Sequence, residues 1–239
     1  MNFKGLFSRR KDESINYTVK LKELSKVPLA HRDLEWDRTF MNNLGQAKLA
    51  CRLPQIAKGE DGFTYFQLEI PDVGAPFQSY QVEEMIEKHL LKDGHGIKVF
   101  SYGEEADRRF SNGELLNYYY RNEFRSNIQN WLPPSEDQFS GDMNIVGGDP
   151  AETVIHPLTR KIILSYIVKN GFHFPKISHL NVLTENGIMN QLVFNLEPRM
   201  FRDKNHFDKV LSSLKWYLPM HYTYTSIPEQ YLSNIFYDL

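Results

Sequence analysis

The run "KISHLNVLTENGIMNQLVFNLE" constrains the fold more than any other part of the chain. Two apolar-rich segments flank Asn186-Gly187, and that dipeptide is the strongest short-range sign of a tight β-hairpin. Helical patterns lie on either side of it. "PLTRKIILSYIVKNG" has Pro157 at a first helical turn and Gly171 at a C-terminal stop. "DKNHFDKVLSSLKWYL" repeats Phe207, Val210, Leu211 and Leu214 at helical spacing. "MHYTYTSI" then reads as a strand, with Tyr222, Tyr224 and Ser226 alternating against His221, Thr223 and Thr225. The order is helix, strand, strand, helix, strand. An antiparallel sheet with both helices on one face buries these stripes most simply.

The first half has a similar mixture. "RDLEWDRTFMNNLGQA" reads as a helix capped by Asp33, with Leu34, Phe40, Met41 and Leu44 as its stripe. "FTYFQLEI" alternates Phe66, Leu68 and Ile70 against Tyr65 and Gln67, as a strand does. "SYQVEEMIEKHLLKDG" reads as a helix capped by Ser79 and ended by Gly94, its stripe made of Val82, Met85, Ile86, His89 and Leu90. "GIKVFSY" is a short strand and "NGELLNYYYRNEF" a helix. In the latter, Tyr119 stands three and four residues from Leu116 and Leu115 and is expected to continue the buried stripe. Tyr118 and Tyr120 flank that direction and are expected at a contact surface.

Between the halves, "SNIQNWLPPSEDQFSGDMNIVGGDPAE" gathers prolines, glycines and small polar residues as a linker does. Trp131 and Phe139 within it are expected to pack on a domain. The expected plan is therefore α+β, with two small domains, each a mixed or antiparallel sheet packed against helices. A flexible segment covers 1–20, an N-terminal α+β domain 21–125, a linker 126–155, and a C-terminal α-β-β-α-β domain 156–239.

Composition narrows the function classes. The formal net charge of −2 over 239 residues lacks the pull on phosphates that a nucleic-acid binder uses, so nucleic acid is not an expected partner. Cys51 is the only cysteine, so no intramolecular disulfide forms and a reducing compartment, the cytoplasm, is expected. No apolar run approaches the roughly 20 residues that span a bilayer. The opening "MNFKGLFSRRKDES" sets Phe3, Leu6 and Phe7 before Arg9-Arg10-Lys11, the reverse of a secretory signal.

The run "GHGIKVFSYGEEADRRFSNGELLNYYYRNEF" is similar to a stretch of uncharacterised bacterial proteins, with a Gly-Ile strand, a Phe-Ser-Tyr-Gly turn and an acidic-Leu-Leu-Asn-Tyr helix. The tail, from "HPLTRKIILSYI" through "QLVFNLE" to "LKWYLPMHYTYTSIP", resembles the C-terminal domain of the enhanced serine sensitivity protein B (SseB) family. The resemblance covers about the last 160 residues and implies a cytoplasmic, two-domain bacterial protein without an established reaction. It carries over no active-site residue. Arg108-Arg109 before Phe110 departs from the aromatic-rich turn that the resemblance implies.

No catalytic or metal constellation stands out from spacing. None of the eight histidines forms a His-x-x-x-His pair, there is no Gly-x-Ser-x-Gly elbow, and Cys51 reads as a small apolar filler. Glu83 and Glu84, adjacent on a helix, diverge by about 100° and do not converge on one site. No cofactor or metal is expected. Aromatics are in surplus, with 13 Tyr, 16 Phe and 3 Trp, and aromatic and Arg side chains dominate interface hot spots. The candidate protein-contact residues are Tyr102, Arg108, Arg109, Tyr118, Tyr120, Trp131, Trp216, Tyr222 and Tyr224. The expected function is non-enzymatic binding of a protein partner in an adaptor, regulatory or immunity role, with homo-oligomerisation left open. The alternative is an enzyme or small-molecule sensor with a pocket between the domains, lined by Tyr102, Arg109 and Trp131.

Overall fold

The structure is a computed structural model and describes residues 16–72, 74–132, 145–185, 187–232 and 234–239. The chain forms two units, Met1–Phe124 and Arg125–Leu239, each with a five-stranded mixed sheet and helices, an α+β fold. Of the segment expected to be flexible, residues 1–15 lie outside the described residues, and 16–20 are the first turns of helix α1 (16–25).

The first unit runs α1, α2 (Leu34–Leu44), β1 (Lys48–Lys58), β2 (Thr64–Glu69), β3 (Tyr80–Gln81), α3 (Val82–Met85), α4 (Leu91–Asp93), β4 (Gly96–Phe100), β5 (Arg108–Phe110) and α5 (Asn112–Arg121). Its sheet has the order β3-β1-β2-β4-β5, with β2 and β4 parallel and the remaining pairs antiparallel. Asp33 caps α2, its side chain accepting from Trp36 N at 2.8 Å. Trp36 takes the inward place expected for Leu34, which is 85% exposed, because the indole Nε1 reaches Leu24 O at 2.9 Å and ties α2 to the end of α1. A π-helical turn, Ile86–Leu90, separates α3 from α4. Its wider winding rotates the residues that follow, so Leu90 and Leu91 are both buried and His89, expected on the stripe, faces water. The helix starts at Val82 after β3, with no side-chain cap from Ser79. In β1 a bulge sets four residues, 52–55, opposite the single Gln67 of β2.

The second unit runs β6 (Ile145–Gly148), α6 (Pro157–Lys169), β7 (Lys176–Thr184), β8 (Gly187–Phe194), α7 (Lys204–Ser213), β9 (Tyr224–Ser226) and β10 (Tyr237–Asp238). Its strand order is β10-β7-β8-β9, with β6 also on β7. The hairpin forms where Asn186-Gly187 indicates, with Thr184 facing Gly187 across the turn, so Gly187 opens β8 at φ +104°. β9 is parallel to β8, because α7 crosses over between them, and the sheet is therefore mixed where an antiparallel one was expected. Within the stretch read as a linker, Ile145–Gly148 pairs with β7 residues 179–182, and Ile155 is buried. Gly147 is required there, since a Cβ would stand 2.6 Å from Ile235.

Side chains on one face of this sheet (Leu180, Val182, Val193) are covered by Leu132 and by Ile227, Leu232, Ile235 and Phe236. On the other face Tyr224 packs edge-on against Phe194, and its hydroxyl donates to Ser212 O of α7 at 3.2 Å. Tyr166 of α6 meets Tyr217 at 5.5 Å, which ties α6 to the segment that follows α7.

A candidate interaction surface on the second sheet

Cross-strand partners in a sheet share a face. Registers therefore assign one face of the second sheet row by row. Val146 faces Asn181, Asn181 faces Asn190, and Asn190 bridges to Trp131. One row toward the hairpin tip, Leu183 faces Ile188. One row the other way, Gly148, His179, Leu192 and Tyr224 stand in line across four strands. Tyr224 marks where α7 covers this face. Toward the tip the cover stops, and Val146, Leu183 and Ile188 are 69%, 55% and 62% exposed. None of these positions carries a formal charge.

Trp131 is fixed at the edge of this surface. Its ring stacks on Tyr222 at 4.0 Å and 18°, lies near-parallel to His179 at 5.9 Å, and meets His221 edge-on. The Tyr222 hydroxyl donates to Val154 O at 2.9 Å. Asn190 holds the backbone beneath Trp131. Its N–H and its Nδ2 each donate to Asn130 O at 2.8 Å, and its carbonyl accepts from Leu132 N at 3.0 Å. With Nδ2 so committed, Oδ1 accepts from His179 Nε2 at 3.1 Å. Burial holds the His179 imidazole below its ordinary pKa, which keeps the ring neutral beside Trp131. The result is a rigid aromatic ring, two amides and three exposed aliphatic side chains on one uncharged face. Rigid aromatic anchors flanked by apolar area suit protein contact.

The sequence candidates divide. Trp131, Tyr222 and Tyr224 come together at this face, although Tyr222 is 8% exposed and supports Trp131 from beneath. Burial pushes the Tyr224 phenol up to about 12. Trp216, expected at a surface, is buried in the 3-10 turn Leu214–Trp216 that ends α7. Tyr118, also expected at a surface, is a core ring. Phe124 returns after the left-handed Asn122 and packs on it at 4.5 Å, and Gly45 leaves room for its hydroxyl. Tyr119, expected in the core, is 42% exposed, and Tyr120 is half-buried. Arg108 is engaged internally, paired with Asp37 and stacked over Trp36 at 4.6 Å. Arg32 also lies over Trp36, at 4.4 Å, and forms a buried pair with Asp107 at 2.7 Å. Arg109 is exposed on β5. Tyr102 is exposed and carries the Lys22 ammonium 4.2 Å from its ring centre.

Sequence reasoning missed Val146, Leu183, Ile188, His179 and Asn190. The strand alternation of "ISHLNVL" and "GIMNQLV" contains the signal, but the two parities differ little in apolarity. Only the register with β6 and the extent of α7 show which parity lacks cover. Among the described residues no group of three or more His, Cys, Asp or Glu is arranged to hold a metal ion, and no helix is long and apolar enough to cross a membrane. Comparisons with protein-family models, with curated proteins and with solved structures return no match.

Proposed function

We propose that this chain is a non-enzymatic, cytoplasmic protein-binding protein, adaptor, regulatory or immunity-like in role, related to the SseB family, that docks its partner on the uncovered end of the second sheet. The observation that supports the reading is the grouping of Val146, Leu183 and Ile188, each more than half exposed, on one uncharged sheet face beside the immobilised Trp131. Water leaves such a surface at little desolvation cost, because no charge has to be stripped of its shell. The flanking amides of Asn181 and Asn190 offer hydrogen bonds that fix a partner's orientation.

The test compares capture from a native lysate by the wild-type chain and by a Leu183→Asp/Ile188→Asp variant. Both sites are exposed, so the variant keeps its melting temperature. A partner recovered in stoichiometric amount by the wild type and lost by the variant is the expected result. Equal recovery by both chains would place the contact elsewhere. No recovery, together with a metabolite that raises the melting temperature, would instead favour a small-molecule sensor or enzyme.

A further inference from the structure

We propose that a separate groove in the second unit receives a segment of a partner protein that presents a lysine or arginine beside an apolar side chain. This rests on the reading of the chain as a protein binder but shares no residue with the sheet face. The groove has a volume of about 700 Å³ and lies between the loop that precedes β7 and the end of β10. Its size is that of sites which hold small ligands or a few side chains.

The groove is built in advance. Asn195, 6% exposed, accepts from Lys176 N at 2.7 Å and donates to Phe174 O at 3.1 Å, which fixes the loop at two points. Phe172 anchors the same loop by stacking on Phe201 at 5.9 Å. On this fixed wall Phe174 is 82% exposed, and Met200 at the groove is 53% exposed. Two large apolar side chains thus stand in water beside a preformed hollow.

Charge decides what fits. Lys176 Nζ is 2.7 Å from Glu229, and Asp238 is the cross-strand partner of Lys176, so both carboxylates stand around the one ammonium. Glu197 adds a third carboxylate to the lining, paired with Arg199 at 2.6 Å. Three carboxylates against the two cations Lys176 and Arg199 leave a negative excess, with Asp238 beyond the two close pairs, which disfavours an acidic guest and favours a basic one. The exposed Phe174 ring offers its face to a cation or to the aliphatic stem that carries it.

The test is a titration of the full chain, followed by backbone amide NMR, with acetyl-Leu-Lys-Phe-Lys-amide and its counterpart acetyl-Leu-Glu-Phe-Glu-amide. The lysine peptide is expected to shift amide resonances of residues 172–174, 176 and 238 while the glutamate peptide does not. Asp238→Asn and Glu197→Gln should each weaken binding about threefold, the scale of exposed charge pairs. Phe174→Ala, at an exposed site, should weaken it without changing the melting temperature, and added salt should weaken it further. Equal shifts from both peptides would overturn the proposal, as would shifts from the lysine peptide that fall outside the groove or no shifts at all. The Leu183→Asp/Ile188→Asp variant leaves the groove intact, so this outcome is independent of the sheet face.

Discussion

At the scale of single residues, Tyr118 and Tyr119 show how a helix shares its rings between core and water. Helical spacing from Leu115 and Leu116 selects Tyr119 for the core, because it counts only neighbours within the helix. The structure selects Tyr118, because two residues outside the helix decide: Phe124, which folds back after Asn122, and Gly45, which has no side chain. A Cβ at Gly45 would stand 1.9 Å from the Tyr118 hydroxyl. Tyr118→Ala is therefore expected to cost about 3–5 kcal/mol. Tyr119→Ala should stay within about 0.5 kcal/mol. Urea denaturation of both variants measures the contrast. Gly45→Ala should lower the urea midpoint as well, and a second change that shortens Tyr118 should recover part of that loss.

At the scale of elements, Asn190 stitches residues 130–132 to β8 through its backbone and its side chain together. Asn190→Val keeps a strand-forming residue but removes the amide that bonds Asn130 and His179, at an expected cost of about 1–3 kcal/mol. Limited proteolysis should then cleave near Trp131 before the rest of the second unit. An unchanged cleavage pattern would show that the two backbone hydrogen bonds and the ring stacking hold this segment without the amide. Local signals made most of the elements legible. Asp33, Pro157, Gly94 and Gly171 all act at the helix ends where their chemistry places them. The hairpin also lies where Asn186-Gly187 indicates. Non-local facts were not legible. The π-turn that exposes His89 has no sequence sign, β6 has four residues and two of them are glycine, and β9 is short because a turn closed by Tyr222 N on Pro219 O takes up residues 219–222. The candidate face was legible only through Trp131 and its tyrosine neighbours, since the rest depends on which strand parity the helices leave uncovered.

At the scale of the whole molecule, both units contain histidines that resist protonation. Burial lowers the pKa of His95 in the first unit and of His156 and His179 in the second below the ordinary value of 6.5. The folded chain therefore binds fewer protons than the unfolded chain just below 6.5. The associated stability is complete above about 6.5 and is lost as pH falls through the lowered folded values. Urea unfolding at pH 7.5 and 5.5 should show the lower stability at 5.5. His156 Nδ1 accepts from Leu158 N at the start of α6, a role that only the neutral ring fills. His156→Asn keeps a capping acceptor and should flatten part of the slope. The uncharged end of the second sheet has a colloidal consequence. A chain of net charge −2 has little overall repulsion to keep copies apart, and this face adds none locally. Produced in excess of whatever covers it, the chain should show concentration-dependent light scattering that charge at Leu183 or Ile188 abolishes. Its solubility would then depend on the supply of a partner.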